Sequence, residues 1–128
     1  MRLLLDTCTF IWIFSDPSKL SQLARELYLD AANEVFLSVA SSWEIAVKTS
    51  LGKLRLKKPA WQMIPEQRDI HRIASLPIDE ESTLQVEKIP HLHGDPFDRI
   101  LVCQGIVHGL TILTPDPLIS QYPVRVIW

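Results

Sequence analysis

Three short apolar runs punctuate the chain, and each closes on polar residues. Leu3-Leu4-Leu5 stops at Asp6, Val35-Phe36-Leu37 at Ser38, and Leu110-Thr111-Ile112-Leu113 at Thr114, two residues before Asp116. Runs of this length with no alternation predict strands buried on both faces. Val124-Arg125-Val126-Ile127-Trp128 predicts a last strand. Between the strands the spacing turns helical. A short helix is expected over Thr9–Phe14, broken by Asp16-Pro17. A second runs from Ser21 to Ala32, where Leu20, Leu23, Ala24, Leu27 and Ala31 recur on one face. A third begins at Ser41, carries Trp43, Glu44, Ile45 and Val47, and ends near Gly52. Pro59, Pro65 and Pro77 limit helix length over residues 53–78, which predicts one or two short helices and a short strand around Ala74–Ile78. Asp79 caps a further short helix running to about Lys88.

The plainest helix start is His93-Gly94-Asp95-Pro96-Phe97-Asp98-Arg99. Asp95 is a good N-cap, and Pro96 fits the first helical position, where a missing N–H costs nothing. Ile100 to Val107 is apolar on nearly every side, so this helix is expected inside, ending at the His108-Gly109 C-cap. Asp98 shares a face with Leu101, Val102 and Gly105, and a carboxylate on an apolar face requires compensation.

Short apolar strands alternating with helices predict an α/β layer fold with a mainly parallel sheet, as one domain over residues 1–128. In such sheets, sites form beyond the C-terminal strand ends. Asp6 and Asp116 follow two strands; Glu44 and Asp98 lie in the first turns of two helices. Four acids from distant parts of the chain are thus expected at one edge.

Composition narrows the class little. The chain has 128 residues, 47% hydrophobic and 22% charged, with net charge −2, so nucleic-acid contact requires a local patch. Cys8 and Cys103 are too few for a disulfide framework. No apolar run approaches the roughly 18–20 residues of a membrane span, and Asp6 interrupts the opening too early for a signal peptide. A cytoplasmic protein with no membrane association is expected.

Each acid also has a structural explanation. Ser41-x-x-Glu44 matches a capping box, Asp98 suits the helix dipole, and Asp6 and Asp116 suit turns. Jointly they suggest more. Two carboxylates about 4 Å apart repel by about 4 kcal/mol at an effective dielectric near 20. A cluster calls for Mg²⁺ or Mn²⁺, hard cations that favour carboxylate oxygen, and such a site suits phosphodiester hydrolysis. No Ser-His-Asp or Cys-His pairing is evident.

No acid occurs between Glu44 and Glu66, whereas Lys48, Lys53, Arg55, Lys57 and Lys58 fall there, 5 of the 13 basic residues. The stretch reads either as a phosphate-backbone contact beside the acids or as a solvated loop. Trp43 and Trp61 suit base stacking or core packing, and core packing is expected. His91-Leu92-His93-Gly94-Asp95 has a zinc-hydrolase spacing, but Pro96 stands where the next histidine belongs. His93 suits the rim of the site; His71 and His108 read as ordinary boundary histidines.

Leu4-Leu5-Asp6-Thr7, Ser41-Ser42-Trp43-Glu44-Ile45-Ala46-Val47-Lys48 with Gly52-Lys53-Leu54, Asp95-Pro96-Phe97-Asp98-Arg99, and Leu113-Thr114-x-Asp116 with Tyr122 and the ending Val126-Ile127-Trp128 together resemble PIN-domain proteins of the VapC-like toxin type. The likeness covers essentially the whole chain. It implies an α/β/α fold with a central parallel sheet and Mg²⁺- or Mn²⁺-dependent ribonuclease activity. It also implies a homodimer and inhibition by a cognate antitoxin that enters the active-site groove. By motif position Asp6, Glu44, Asp98 and Asp116 match the four family acids. Two departures bear on substrate preference: Gly94 stands where a basic residue is common, and Cys8 where histidine or another polar residue is.

The expectation is therefore a metal-dependent endoribonuclease acting on RNA as a toxin. Asp6, Glu44 and Asp98 hold the principal metal, and Asp116 completes the site or binds a second ion. Lys48 and Arg99 position phosphate, and Thr114 orients a carboxylate or water. Asp95 serves mainly as the helix cap and as a neighbour of the metal ligands. The rivals are a non-catalytic RNA- or protein-binding module on the same fold, with the acids as caps, and a phosphatase. The phosphatase is disfavoured because Asp6-Thr7-Cys8 lacks a second Asp two residues on.

Overall fold

The computed structural model describes residues 1–128. Five strands form one all-parallel sheet: β1 (Arg2–Leu5), β2 (Glu34–Ser38), β3 (Ile73–Leu76), β4 (Thr111–Leu113) and β5 (Val126–Ile127), in the spatial order β3-β2-β1-β4-β5. The uninterrupted apolar run of β1 takes the centre, where Leu3, Leu4 and Leu5 are fully buried. Each such leucine contributes about 2 kcal/mol by leaving water. Leu3 and Leu5 face one core with Phe10, Ile13, Leu37 and Ile45; Leu4 faces the other with Leu101, Val102, Ile112 and Ile119. The fold is thus a three-layer α/β/α sandwich.

The helices are α1 (Thr7–Ser15), α2 (Gln22–Leu29), α3 (Val39–Ser50), α4 (Ala60–His71), α5 (Glu80–Leu84), α6 (Pro96–His108) and α7 (Pro117–Ser120), with 3₁₀ turns at Pro17–Lys19 and Gln85–Glu87. Helix α6 is the strongest sequence signal and lies where expected. Asp95 caps its first turn, accepting from Phe97 N at 2.9 Å and Asp98 N at 3.3 Å. Gly109, with φ 64°, ends it in the left-handed conformation that glycine adopts freely. Gly105 lets α6 close on the sheet: a Cβ there would meet Val124 Cγ2 at 2.8 Å.

Two local readings are corrected. Helix α3 begins at Val39, capped by the Ser38 hydroxyl, which accepts from Ala40 N at 3.0 Å. Ser41 is therefore inside the helix, and the capping-box explanation of Glu44 falls away. Pro65 does not divide its segment but sits within the twelve-residue α4. It is exposed, so the missing backbone hydrogen bond lies toward solvent, while buried Met63 and Ile64 hold the turn against the core. No helix is long and apolar enough to cross a membrane.

Candidate metal-binding active site

Register brings the polar strand ends together. Leu5 pairs with Leu37 on one side and with Leu113 on the other, so Asp6, Ser38 and Thr114 leave the sheet at one edge. Asp6 is 5% exposed and caps α1, accepting from Thr9 N at 2.7 Å. Its second carboxylate oxygen accepts from the Thr114 hydroxyl. Burial pushes its carboxyl above the ordinary value against these hydrogen bonds, and the Asp116 charge pushes the same way.

Asp116 caps α7, accepting from Leu118 N at 2.9 Å, and its own N–H donates to Thr114 Oγ1 at 3.0 Å. Thr114 thus ties the two acids into one unit. Glu44 is buried and faces α1, where the Thr7 hydroxyl donates to its Oε1 at 2.7 Å; Ser41 Oγ lies 3.0 Å from the same hydroxyl. Its Oε2 accepts from Lys48. That hydrogen bond holds the Lys48 ammonium above its ordinary pKa.

Asp98 stands in the first turn of α6, with His93 Nε2 3.1 Å from its Oδ2. Burial raises its carboxyl to about 6. The His93 hydrogen bond opposes this, and the charges of Asp95 and Asp116 add to it. Cys8, a free thiol in the first turn of α1, is pushed up by burial and then by Asp6, Glu44 and Asp98. The four predicted acids therefore share one region of negative potential, with Lys48 paired inside it.

The acids do not form a closed cage. No three His, Cys, Asp or Glu side chains stand close enough together to grip an ion as they lie. Each carboxylate is turned to a local donor instead: Asp6 to Thr9 and Thr114, Glu44 to Thr7 and Lys48, Asp98 to His93, Asp116 to Leu118. The donor set nevertheless fits a hard divalent cation. It is all carboxylate and hydroxyl oxygen, and burial raises two of its carboxyls.

Arg99 belongs elsewhere. It is 8% exposed, and its Nη1 donates to Pro90 O at 3.1 Å and Tyr122 Oη at 3.0 Å, so it fastens the interior rather than reaching a phosphate. Arg55, Lys57 and Lys58 line an open cleft of about 670 Å³ with Ala46, Thr49, Ser50 and Trp61. By helical spacing those α3 residues lie on the side of the helix away from Glu44, while the start of the basic loop is tied to Lys48, whose carbonyl accepts from Lys53 N at 2.9 Å. Lys58 is paired with Glu66 at 3.1 Å. Trp43 and Trp61 are surface residues, 65% and 78% exposed, not core residues. Thr7 and Tyr122 carry contacts that spacing alone does not reveal; the signal for Thr7 is its place directly after Asp6.

Comparisons with known proteins agree with this fold. The PIN domain family model matches residues 3–124. Ribonuclease VapC22 of Mycobacterium tuberculosis is 25% identical over 113 residues, 88% of this chain and 85% of its own length. Ribonuclease VapC16 of the same organism is 34% identical over 79 residues, 62% of this chain and 53% of its own. The fold is similar to that in VapBC2 from Rickettsia felis bound to a promoter DNA fragment, with a TM-score of 0.69 at 16% identity, covering 99% of this chain and 98% of that one. The DNA-bound VapBC structure from Salmonella typhimurium gives 0.69 at 18% identity, covering 99% and 97%. An all-parallel sheet carrying acids at its C-terminal edge, and a family match across nearly its whole length, place this chain in the PIN domain family.

Proposed function

We propose that this chain is a divalent-metal-dependent endoribonuclease, the toxin of a toxin–antitoxin pair, and that a cognate antitoxin silences it. The observation that carries this reading is the linkage of buried Asp6 to Asp116 through Thr114, in one negative field with Glu44 and Asp98. The likeness to ribonucleases and to toxin–antitoxin complexes supports it. A cytoplasmic homodimer is the expected form.

Asp6, Glu44 and Asp98 would hold Mg²⁺ or Mn²⁺, with Asp116 completing the set. The ion would supply charge neutralisation at the scissile phosphate and a lowered pKa for the attacking water. The chain's own residues do the placing. Thr114 fixes the Asp6 carboxylate and the start of α7. Thr7 fixes Glu44 from α1. Lys48 offsets the Glu44 charge, and its half-exposed ammonium would position a phosphate oxygen. Asp95 sets the helix start that carries Asp98.

Asp6→Asn tests the reading, because asparagine keeps the N-cap while removing the charge. The expected result is loss of Mg²⁺-dependent RNA cleavage with an unchanged circular dichroism spectrum. The unmodified protein should lose cleavage to a chelator. Full cleavage by the variant, or cleavage indifferent to chelation, overturns the assignment.

A further inference from the structure

Asp98 does not stand alone on α6. His93 Nε2 lies 3.1 Å from Asp98 Oδ2, and His93 Nδ1 lies 2.7 Å from Tyr122 Oη. The phenol oxygen also receives Arg99 Nη1 at 3.0 Å and the backbone N–H of His93 at 3.1 Å. Arg99 Nη1 in turn lies 3.1 Å from Pro90 O. Tyr122 is 3% exposed and the His93 side chain 11%, so water competes little for these groups.

The direction of every hydrogen bond follows from counting hydrogens. A guanidinium and a backbone N–H can only donate, so the two lone pairs of the Tyr122 oxygen are taken. Its single hydrogen then goes to His93 Nδ1, since the alternative acceptor, His93 O, is 3.5 Å away. Nδ1 is therefore an acceptor. The hydrogen of the neutral ring sits on Nε2 and points at Asp98 Oδ2. The Nδ1–H tautomer finds no acceptor at the phenol.

We infer that Tyr122, oriented by buried Arg99, fixes the Nε2–H tautomer of His93 so that His93 holds one oxygen of Asp98 and leaves the other, Oδ1, to the metal. The inference rests on the proposed placement of Asp98 at the ion. It makes Tyr122, His93 and Arg99 positioning residues, with none touching substrate. It also explains a buried arginine beside an acidic site: its charge is directed at a phenol oxygen, not at a phosphate. Hydrogen-bonded supports of metal ligands typically account for about 10- to 100-fold in affinity.

The test uses the full chain labelled with ¹⁵N-histidine, read by ring NMR without metal and by calorimetric Mn²⁺ titration. The unmodified protein should show His93 as the Nε2–H tautomer. Tyr122→Phe keeps the ring packing and removes the relay; it should give a tautomer mixture and about tenfold weaker Mn²⁺ binding. His93→Ala should weaken Mn²⁺ binding similarly. His93→Gln, whose amide can still donate toward Asp98, should recover most of it, which a merely structural role does not explain. An Nδ1–H tautomer in the unmodified protein, or Mn²⁺ affinity unchanged in both Tyr122→Phe and His93→Ala, overturns the relay. If Tyr122→Phe does not fold, the His93 pair and the unmodified spectrum decide alone. Asp98→Asn separates the two failures. Loss of Mn²⁺ binding there with no effect at Tyr122 and His93 refutes only the relay. Undiminished binding in Asp98→Asn refutes the metal assignment itself.

Discussion

The Thr114 hydroxyl donates to Asp6, across 108 positions of sequence, and so ties the end of β4 to the end of β1. The same oxygen accepts the N–H of Asp116 at 3.0 Å. One small side chain therefore ties together two residues whose carboxylates repel each other. That arrangement stores unfavourable charge in the fold, and its consequences are measurable.

Asp98 shows the cost most directly. Its folded carboxyl titrates near 6, against 3.8 for the unstructured group. The folded state thus binds a proton more tightly than the unfolded chain, and stability falls as pH rises through about 4 to 6. In metal-free protein, Asp98→Asn should raise the unfolding free energy at pH 7 by about 1 kcal/mol, after allowing for its partial exposure. The gain should disappear below about pH 4, where both chains are uncharged at this position. Denaturant melts with a chelator at pH 4 and pH 7 check this; a gain independent of pH contradicts it.

Asp95 and Asp98 should separate by substitution. Asp95 accepts two first-turn N–H groups of α6, which asparagine can also do. Asp95→Asn should keep both the melting temperature and most of the RNA cleavage, whereas Asp95→Ala should cost about 1 kcal/mol in stability. Asp98→Asn should abolish cleavage. Equal loss of activity in Asp95→Asn, with stability intact, would move Asp95 from the helix cap to the metal.

Away from the site, Asp79 ties α5 to the end of α6. Its carboxylate accepts from Ser82 and from His108 Nε2 at 2.9 Å, and these hydrogen bonds, Ser82 first, hold its pKa at about 2. A depressed carboxyl stabilises the fold above its unfolded value of 3.8, and the contribution is lost as pH falls from about 4 to about 2. Asp79→Ala should flatten the pH dependence of the urea midpoint in that window and lower the midpoint above it. An unchanged slope would mean that the tie contributes nothing.

Much of this protein is readable from local pattern. Asp95-Pro96 and His108-Gly109 bracket α6 within a residue, because capping chemistry is local. The runs at Leu3-Leu4-Leu5 and around Thr111-Ile112-Leu113 announce buried parallel strands, because a strand covered on both faces has no reason to alternate. Asp6, Asp98 and Asp116 can be nominated from their places at strand ends and a helix start; Glu44, expected in a first turn, lies in the second turn of α3. What the sequence could not decide depends on contacts between distant segments. Ser38 rather than Ser41 caps α3, since β2 runs directly into the helix. Pro65 is absorbed because Met63 and Ile64 pack beneath it. Trp43 and Trp61 lie outside, since their helices bury other faces. Arg99 neighbours Asp98 in sequence, yet adjacent helical residues point about 100° apart, and its guanidinium meets Tyr122 in the interior. Composition and periodicity set the layers and the candidate acids; only tertiary packing determined which donor each acid, histidine and arginine would find, because hydrogen-bond partners are fixed by distance in space and not along the chain.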